Sequence, residues 1–301
     1  MKITAILFVL RGVLGLLFIL SAIFKLISID QFEVYLYSFG IVSLNASFVL
    51  ARICIGGELL LGLGLASNLY GRFVNIVTLI ILLLFSAFLL YNIYVGREDN
   101  CQCFGSLLSI TPIQSLAKNA IILLWLWLVS KVPSFTWRPQ WYLWIVLIIL
   151  CTALPFFISK PDHWIYHDND KDIPYNMTLF KEQITNDSTF INKGIKHGNK
   201  IVAFVSPYCP YCKMSVEKIQ TLRQRYHLPD TSFIYIIPQP PQPIETVELD
   251  YTPTIISREL FSNITYGQRP VIVFVSDGIP IQSIHYRAID ENEFKDFLSS
   301  N

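Results

Sequence analysis

Two pairs of closely spaced cysteines could exchange electrons with thiols and disulfides. Cys101 and Cys103 are separated by one glutamine, and Cys209 and Cys212 are separated by Pro-Tyr. A thiolate attacks a disulfide to form a mixed disulfide, which a neighbouring thiol then resolves. All four cysteines are therefore candidate catalytic residues.

The second pair follows a predicted strand and opens a predicted helix. Apolar residues 200–205 form the strand, and an amphipathic run begins at the pair. This spacing places Cys209 at the helix N-terminus, near unpaired backbone N–H groups and the positive end of the helix dipole, with Cys212 one turn deeper. We expect Cys209 to be the nucleophile and Cys212 the resolving thiol. A structural disulfide is the alternative, whereas a zinc corner would need ligands that His197 and His227 do not supply at suitable spacing.

The spacing of the first pair suits thiol-disulfide exchange better than a structural disulfide. In an extended strand the side chains of Cys101 and Cys103 share a face, but their Cα atoms are at or beyond the upper limit for a disulfide, so a bridge requires a bend. A strained bridge is easier to reduce. Half of a metal site and two inert cysteines are the alternatives, although no histidine lies in or near this loop.

The composition of the chain indicates a membrane protein. With 53% apolar and 15% charged residues and a mean hydropathy of +0.47, it is too hydrophobic for an ordinary soluble protein. A helix needs about 20 apolar residues to cross roughly 30 Å of hydrocarbon. Five runs qualify, at residues 4–28, 46–68, 73–95, 112–130 and 139–158. The first run exceeds the apolar part of a signal peptide and contains Arg11, so we expect the mature protein to retain it.

The basic residues of the short loops predict that the N-terminus is inside. Lys2, Arg72, Lys131 and Arg138 lie on that side, against Arg97 alone on the other. The loop of residues 96–111 and everything after residue 158 then lie outside, where disulfides persist. We therefore expect a multi-pass protein of the cytoplasmic (inner) membrane, with both cysteine pairs in the periplasm.

Charged residues within the predicted spans are a second group of candidates, because an isolated charge is costly in hydrocarbon. They are Arg11, Arg52, Glu58 and Lys118. We expect Glu58 to pair with Arg11 or Arg52, either holding the helices together or lining a quinone pocket. Lys25, near the end of a span, is expected to extend its amine to the membrane surface.

Several short motifs of the membrane half form a pattern that is found in a known family. They are the Cys-Gln-Cys-Phe-Gly run at 101–105, Lys-Asn-Ala at 118–120, Arg11, Phe-Lys-Leu at 24–26, and Glu58. Over about residues 5–130 the chain resembles the MauE branch of DoxX-like membrane proteins. This resemblance implies a four-helix redox bundle, associated in methylamine utilisation with maturation of a disulfide-rich dehydrogenase and often paired with a thioredoxin-like partner. It does not imply that methylamine is the substrate here.

The C-terminal part has a regular order of predicted elements after residues 159–187, which are polar and predicted to be a tether. The elements are a strand at 232–237, a helix near 254–262, strands at 270–276 and 280–286, and a helix at 290–299. Together with the strand and helix around Cys209, this order resembles the thioredoxin superfamily over about residues 188–301. The resemblance implies an α/β thioredoxin-like domain.

The same resemblance implies a cis-proline beside the cysteines, a position that Pro270 fits, although the sequence alone does not establish the isomer. Arg269 would then lie near the sulfurs, and we hypothesise that it favours the Cys209 thiolate. Two residues depart from the pattern. Ala203 stands where many thioredoxins have a buried carboxylate, and Tyr208 replaces the usual tryptophan. These departures weaken the expectation of thioredoxin-type reductase chemistry.

The sequence thus predicts a four-helix MauE/DoxX-like domain (1–130), a fifth transmembrane helix (131–158), a polar tether (159–187) and an external thioredoxin-like domain (188–301). The expected activity is that of a membrane thiol-disulfide oxidoreductase. It would relay electrons from exported cysteine-containing proteins through the second cysteine pair to the first, and on to a quinone. A reductive conduit and a scaffold for a tethered thioredoxin are the alternatives. Membrane lipid is an expected partner, and we expect no metal, no covalently bound cofactor and no nucleic acid.

Overall fold

The structure is a computed structural model that describes residues 2–67, 71–96, 110–131, 141–162, 172–186, 194–240 and 251–300. The chain divides into two compact units. The first comprises Met1–Leu36 and Ser47–Lys160, and the second comprises Tyr37–Ala46 and Pro161–Asn301. The domain boundaries expected from the sequence stay predictions. The loop that carries Cys101 and Cys103 lies outside the described residues.

Four helices of the first unit have the length and the apolar composition of membrane spans. They are α1 (Lys2–Ile27), α3 (Leu44–Ala66), α4 (Gly71–Val95) and α5 (Pro112–Val129). Helices form here because the hydrocarbon of a membrane offers no partner for backbone N–H and C=O groups, so these groups must pair within the segment. The first four predicted spans are thereby confirmed, and the chain has the character of a multi-pass membrane protein.

Two further helices complete the first unit. Helix α6 (Trp141–Ile158) coincides with the predicted fifth span. It is not one of the four helices found long and apolar enough to cross a membrane among the described residues, so the fifth span stays a prediction. The short helix α2 (Ile29–Tyr37) was not expected from the sequence, and it contributes the buried carboxylate of Glu33.

Small residues let the helix backbones of the first unit approach each other closely. A Cβ added to Gly15 of α1 would lie 2.6 Å from the carbonyl oxygen of Gly62 in α3. A Cβ on Gly56 of α3 would lie 2.7 Å from the carbonyl oxygen of Cys151 in α6. Association of helices in a membrane depends on such close packing, since burial of apolar side chains gives little gain there. Larger side chains at these positions would force the helices apart.

The second unit is built on a five-stranded mixed sheet. Its strands are β1 (Asn199–Phe204), β2 (Phe233–Pro238), β3 (Pro253–Ile256), β4 (Val271–Ser276) and β5 (Ile279–Ile284). They lie in the order β3-β2-β1-β4-β5. Strands β1, β2 and β3 are parallel, whereas β4 and β5 run antiparallel to their neighbours. Four helices accompany the sheet: α7 (Met177–Asn186), α8 (Pro210–Arg225), α9 (Arg258–Thr265) and α10 (Glu291–Ser299).

The prediction of a polar tether at 159–187 is wrong for its described C-terminal part. The backbone N–H of Ile173 donates to Ser283 Oγ at 3.1 Å, and Asn176 caps helix α7 by accepting from the Leu179 N–H at 3.0 Å. Phe180 and Ile184 of α7 are fully buried in the core of the sheet. The segment was misjudged because α7 is polar except on one narrow face, and one turn of spacing between two apolar residues is a weak signal.

Replacement of Phe180 by alanine is expected to destabilise the second unit by about 3–5 kcal/mol. The Phe180 ring lies 5.1 Å from that of Phe204, which in turn lies 5.9 Å from that of Phe261, so the variant would leave a cavity beside an aromatic cluster. Pulse proteolysis of the detergent-solubilised chain in urea measures the loss. Met177→Ala in the same helix is the matched control, because Met177 is exposed. Equal urea midpoints for the two variants would contradict this packing.

The helix predicted near residues 254–262 is also wrong in its first turn. The structure has strand β3 over Pro253–Ile256, which pairs in parallel with β2 from Tyr235 to Pro238. Helix α9 begins only after Ser257, whose hydroxyl accepts from the Leu260 N–H at 3.2 Å. The run Thr-Ile-Ile at 254–256 is β-branched, and such residues fit a sheet better than a helix.

Candidate active site

Cys209 is held at the start of helix α8, at the carboxyl end of the central strand β1. The backbone N–H of Val205 donates to Ile236 O at 2.9 Å, which extends the pairing of β1 with β2 up to the loop before the cysteine. Cys209 is the N-cap residue of α8, and Pro210 occupies the first turn. Proline suits this position because its missing N–H would have no partner in the helix. The strand, turn and helix expected around the pair are therefore present.

The two thiols of this motif differ in exposure, as the spacing predicts. Cys209 is partly exposed, whereas Cys212, one turn into α8, is buried. Burial raises the pKa of the Cys212 thiol well above its ordinary value, and the neighbouring Cys209 acts in the same direction. A hydrogen bond from the Ser206 backbone and the charge of Arg269 oppose this rise in pKa. The geometry thus presents Cys209 to a partner and keeps Cys212 protonated behind it.

Pro270 lies at the start of β4, and its peptide bond with Arg269 is cis. Strand β4 pairs antiparallel with β1, and Val271 stands opposite Phe204, the last residue of β1. This register places Pro270 at the same end of the sheet as the loop that leads from β1 to Cys209. Burial raises the pKa of the Cys212 thiol, and the guanidinium of Arg269 opposes that rise. Its expected effect on the Cys209 thiolate stays a prediction.

A groove of about 330 Å³ lies beside the motif. Ser206, Pro207 and Tyr208 line it on the cysteine side, and Gly267 and Arg269 line it from the segment before Pro270. The end of β2 and the first turns of α9 complete the groove. Sequence reasoning did not predict this space, because its walls come from regions that lie far apart along the chain: residues 206–208, 238–240 and 258–269.

The charged residues of the membrane helices do not pair as predicted. Glu58 of α3 pairs with Lys25 of α1 and accepts a hydrogen bond from the hydroxyl of Ser21 at 3.2 Å. Lys25 is buried, so the expectation that its amine extends to the membrane surface is also wrong. The physical reason is that α1 and α3 pack closely. Between these helices, a lysine that pairs with a carboxylate leaves neither charge isolated in hydrocarbon.

Arg52 of α3 pairs instead with Glu33 of α2. Its Nε donates to the carbonyl oxygen of Ser159 at 2.8 Å, and its Nη1 donates to that of Phe48 at 2.6 Å. The Glu33 side chain, which sequence reasoning missed, is as fully buried as that of Arg52. A carboxylate between apolar neighbours in the segment Gln-Phe-Glu-Val-Tyr at 31–35 was the available signal.

Arg11 lies elsewhere in the first unit. Its Nε donates to Leu65 O at 3.3 Å and its Nη2 to Gly71 O at 3.4 Å, at the ends of α3 and α4. Arg11 and Lys25 are about 21 Å apart along α1. Because Glu58 pairs with Lys25, Glu58 and Arg11 lie near different ends of this helix. The three residues predicted to line a quinone pocket, Arg11, Arg52 and Glu58, therefore do not all meet at one place, and a quinone site stays a prediction.

Replacement of Glu58 by glutamine is expected to lower the thermal stability of the membrane helices by roughly 2 kcal/mol. The variant removes the charge that faces the buried amine of Lys25 while it keeps the shape of the side chain. Loss of monodisperse protein on heating in detergent, followed by size-exclusion chromatography, measures the change. Glu259→Gln is the control, because Glu259 is exposed on α9. Identical melting of both variants would rule out a stabilising pair.

Comparison with known proteins supports the family resemblance expected for the membrane helices of the first unit. Residues 3–131, which extend from α1 to the end of α5, match the family model described as methylamine utilisation protein MauE. The chain is also similar to "Protein TlpB" of Flavobacterium psychrophilum, at 34% identity over 164 residues. That match covers 51% of this chain and 44% of the relative, so the chain spans less than half the length of the curated protein. No solved structure gives a significant match to the chain.

Proposed function

We propose that this chain, with its MauE-like membrane region, is a thiol-disulfide oxidoreductase that oxidises exported proteins. In this proposal the second unit is a thioredoxin-like domain on the periplasmic side, and Cys209 and Cys212 are its redox centre. Cys101 and Cys103 are the exchange centre of the membrane region. A membrane quinone is the final electron acceptor.

One observation carries the proposal: a partly exposed cysteine caps the N-terminus of a helix that follows the central strand, and a buried cysteine lies one turn deeper. Cys209 therefore stands at the end of the helix where the first backbone N–H groups have no partner within the helix. The buried Cys212 is shielded from other thiols yet close enough to resolve a mixed disulfide. This division of roles is what sequential thiol-disulfide exchange requires.

The proposed relay conserves electrons at each step. Two thiols of a substrate protein are oxidised to a disulfide while the Cys209–Cys212 disulfide is reduced to two thiols. The Cys101–Cys103 disulfide then reoxidises that pair and becomes a dithiol in turn. The dithiol passes two electrons and two protons to the quinone, which becomes a quinol. Attachment of both centres to one chain makes the exchange intramolecular, with an effective concentration in the millimolar range.

The oxidising direction is favoured by the distribution of the six cysteines along the chain. A conduit that carries electrons outward needs an exchangeable cysteine pair within reach of the cytoplasm. The two cysteines that the relay does not use are Cys54 and Cys151, which are single residues of α3 and α6. Cys151 is buried among the helices, whereas Cys54 is on an exposed face of α3. Neither has a partner at exchange spacing in the sequence.

The double variant Cys101→Ser/Cys103→Ser is expected to stop quinone reduction while one oxidation of substrate per molecule persists. The full chain would be placed in lipid nanodiscs with a quinone, and absorbance would follow quinol formation after addition of a reduced peptide. Cys54→Ser is the control for general effects of cysteine loss. A variant pairing Cys212→Ser with Cys103→Ser should also trap a disulfide between Cys209 and Cys101, visible on a non-reducing gel.

Three outcomes separate the proposal from its alternatives. Quinone reduction that needs both cysteine pairs supports the oxidative relay. A trapped disulfide without quinone reduction contradicts the proposed acceptor and favours reductive transfer to the external domain. If the Cys101→Ser/Cys103→Ser variant retained full turnover and no disulfide were trapped, the membrane region would be a scaffold.

A further inference from the structure

Two arginines face the groove beside Cys209. Among the residues that the structure describes, those that line this groove of about 330 Å³ include Arg258 and Arg269 but no aspartate, glutamate or lysine. The other described lining residues are prolines, aromatic residues, and small or uncharged polar residues: Pro207, Pro238, Pro240, Tyr208, Phe261, Ser206, Gln239, Ser262 and Gly267. The groove therefore combines apolar walls with two positive charges.

Arg258 is oriented by the backbone of the opposite wall. Its Nε donates to the carbonyl oxygen of Gln239 at 2.7 Å, just beyond the end of β2. A guanidinium has five N–H donors, so this contact leaves both terminal amino groups with donors to spare. No aspartate or glutamate among the described residues forms an ion pair with Arg258.

Arg269 stands between the groove and the cysteines. It immediately precedes Pro270, and its charge acts on the buried Cys212 thiol. Its side chain is exposed, and within the described part of the chain it too lacks an ion-pair partner. The three other arginines of the second unit do have one: Arg223 pairs with Asp230, Arg225 with Glu291 and Arg287 with Asp162.

We propose that the groove binds a substrate segment with a carboxylate close to the cysteine that exchanges with Cys209. This inference rests on the proposed function and specifies its substrate class. The planar guanidinium of arginine matches a carboxylate with two parallel hydrogen bonds. Tyr208 and Phe261 offer apolar contacts to the same segment. The arginines therefore select acidic cysteine-containing segments and speed their encounter with Cys209.

The test compares two dithiol peptides that differ only in having aspartates or asparagines beside the cysteines. Oxidised full-length protein in nanodiscs is mixed with each peptide, and the rate of peptide oxidation is measured. The readout is the ratio of the two rates, because a change in Cys209 reactivity affects both peptides equally and cancels. Arg258→Gln, Arg269→Gln and the double variant test the groove. Arg223→Gln is the matched control, since Arg223 lies at the other end of α8.

Each single variant is expected to lower the rate ratio about three-fold, and the double variant about ten-fold. For the unaltered protein, the ratio of the two oxidation rates should also fall in roughly 0.5 M salt, because dissolved ions then screen the attraction between arginine and carboxylate beyond a few ångströms. Arg223→Gln should leave the ratio unchanged. Reduced glutathione is a third reagent, because it carries carboxylates without a protein segment and two molecules of it can reduce the Cys209–Cys212 disulfide. Dependence on the arginines for glutathione alone would overturn the inference.

The failure of this inference is distinguishable from that of the proposed function. If both peptides are oxidised and the ratio is the same in the double variant, the groove does not select carboxylates, although the oxidoreductase activity stands. If neither peptide is oxidised, the proposed function fails. Fluorescence anisotropy with peptides whose cysteines are replaced by serine then tests the groove alone. Binding of the acidic peptide that is lost in the double variant supports the inference. Equal binding to the unaltered protein and the double variant overturns it.

Discussion

Cys209→Ser should abolish oxidation of substrate thiols, with a loss of more than about 10³-fold, whereas Cys212→Ser should accumulate a covalent adduct with substrate. The reason is the difference in exposure between the two sulfurs. Cys209 is at the accessible N-terminus of α8, and the buried Cys212 can reach only a disulfide that already includes Cys209. Removal of the first thiol prevents the exchange. When the substrate peptide is supplied as its disulfide, Cys209 attacks one sulfur and frees the other as a thiol, and without Cys212 this adduct is not resolved.

Mass spectrometry under non-reducing conditions measures both effects on the full chain. The Cys212→Ser protein should gain the mass of one substrate peptide, attached at Cys209. Cys54→Ser provides the control, because Cys54 is exposed on α3 and outside the motif. An adduct on Cys212 in the Cys209→Ser protein, or undiminished turnover without Cys209, would contradict the assignment of roles.

Arg52→Ala is the substitution expected to destabilise the membrane helices most, by about 3–5 kcal/mol. The side chains of Arg52 and Glu33 are both 1% exposed. Without the guanidinium, the Glu33 carboxylate would be buried without its counter-charge. The carbonyl oxygens of Phe48 and Ser159 would also lose their donors from Arg52. The expected readout is a large fall in the yield of monodisperse protein and in its midpoint of thermal unfolding in detergent.

A double variant distinguishes the lost ion pair from lost packing. Arg52→Met/Glu33→Leu replaces both charges by apolar side chains of similar size, so it should recover a substantial part of the stability that Arg52→Ala loses. Arg72→Ala is the control, because Arg72 is exposed at the start of α4. If the double variant were no more stable than Arg52→Ala, the buried charge of Glu33 would not account for the loss, contrary to the contact observed.

The sequence by itself determined the main membrane helices and the local arrangement of the second cysteine pair. Apolar runs of about 20 residues predict helices because a backbone in hydrocarbon must satisfy its own hydrogen bonds. The order of strand, Cys209 and amphipathic helix likewise depends only on neighbouring residues. The bounds of the predicted elements agree with the structure to within a few residues, apart from the strand at Pro253–Ile256.

Only the tertiary structure decided which distant residues meet. Lys25 and Glu58 are 33 positions apart, and Arg52 and Ser159 are 107 apart, so their pairing depends on which helix faces are in contact. The burial of Phe180 needed the sheet that covers one side of α7. The groove with Arg258 and Arg269 needed the ends of separate strands to converge beside Cys209. Local sequence encodes periodicity and capping, whereas charge pairing and concave surfaces arise only when segments remote in sequence pack together.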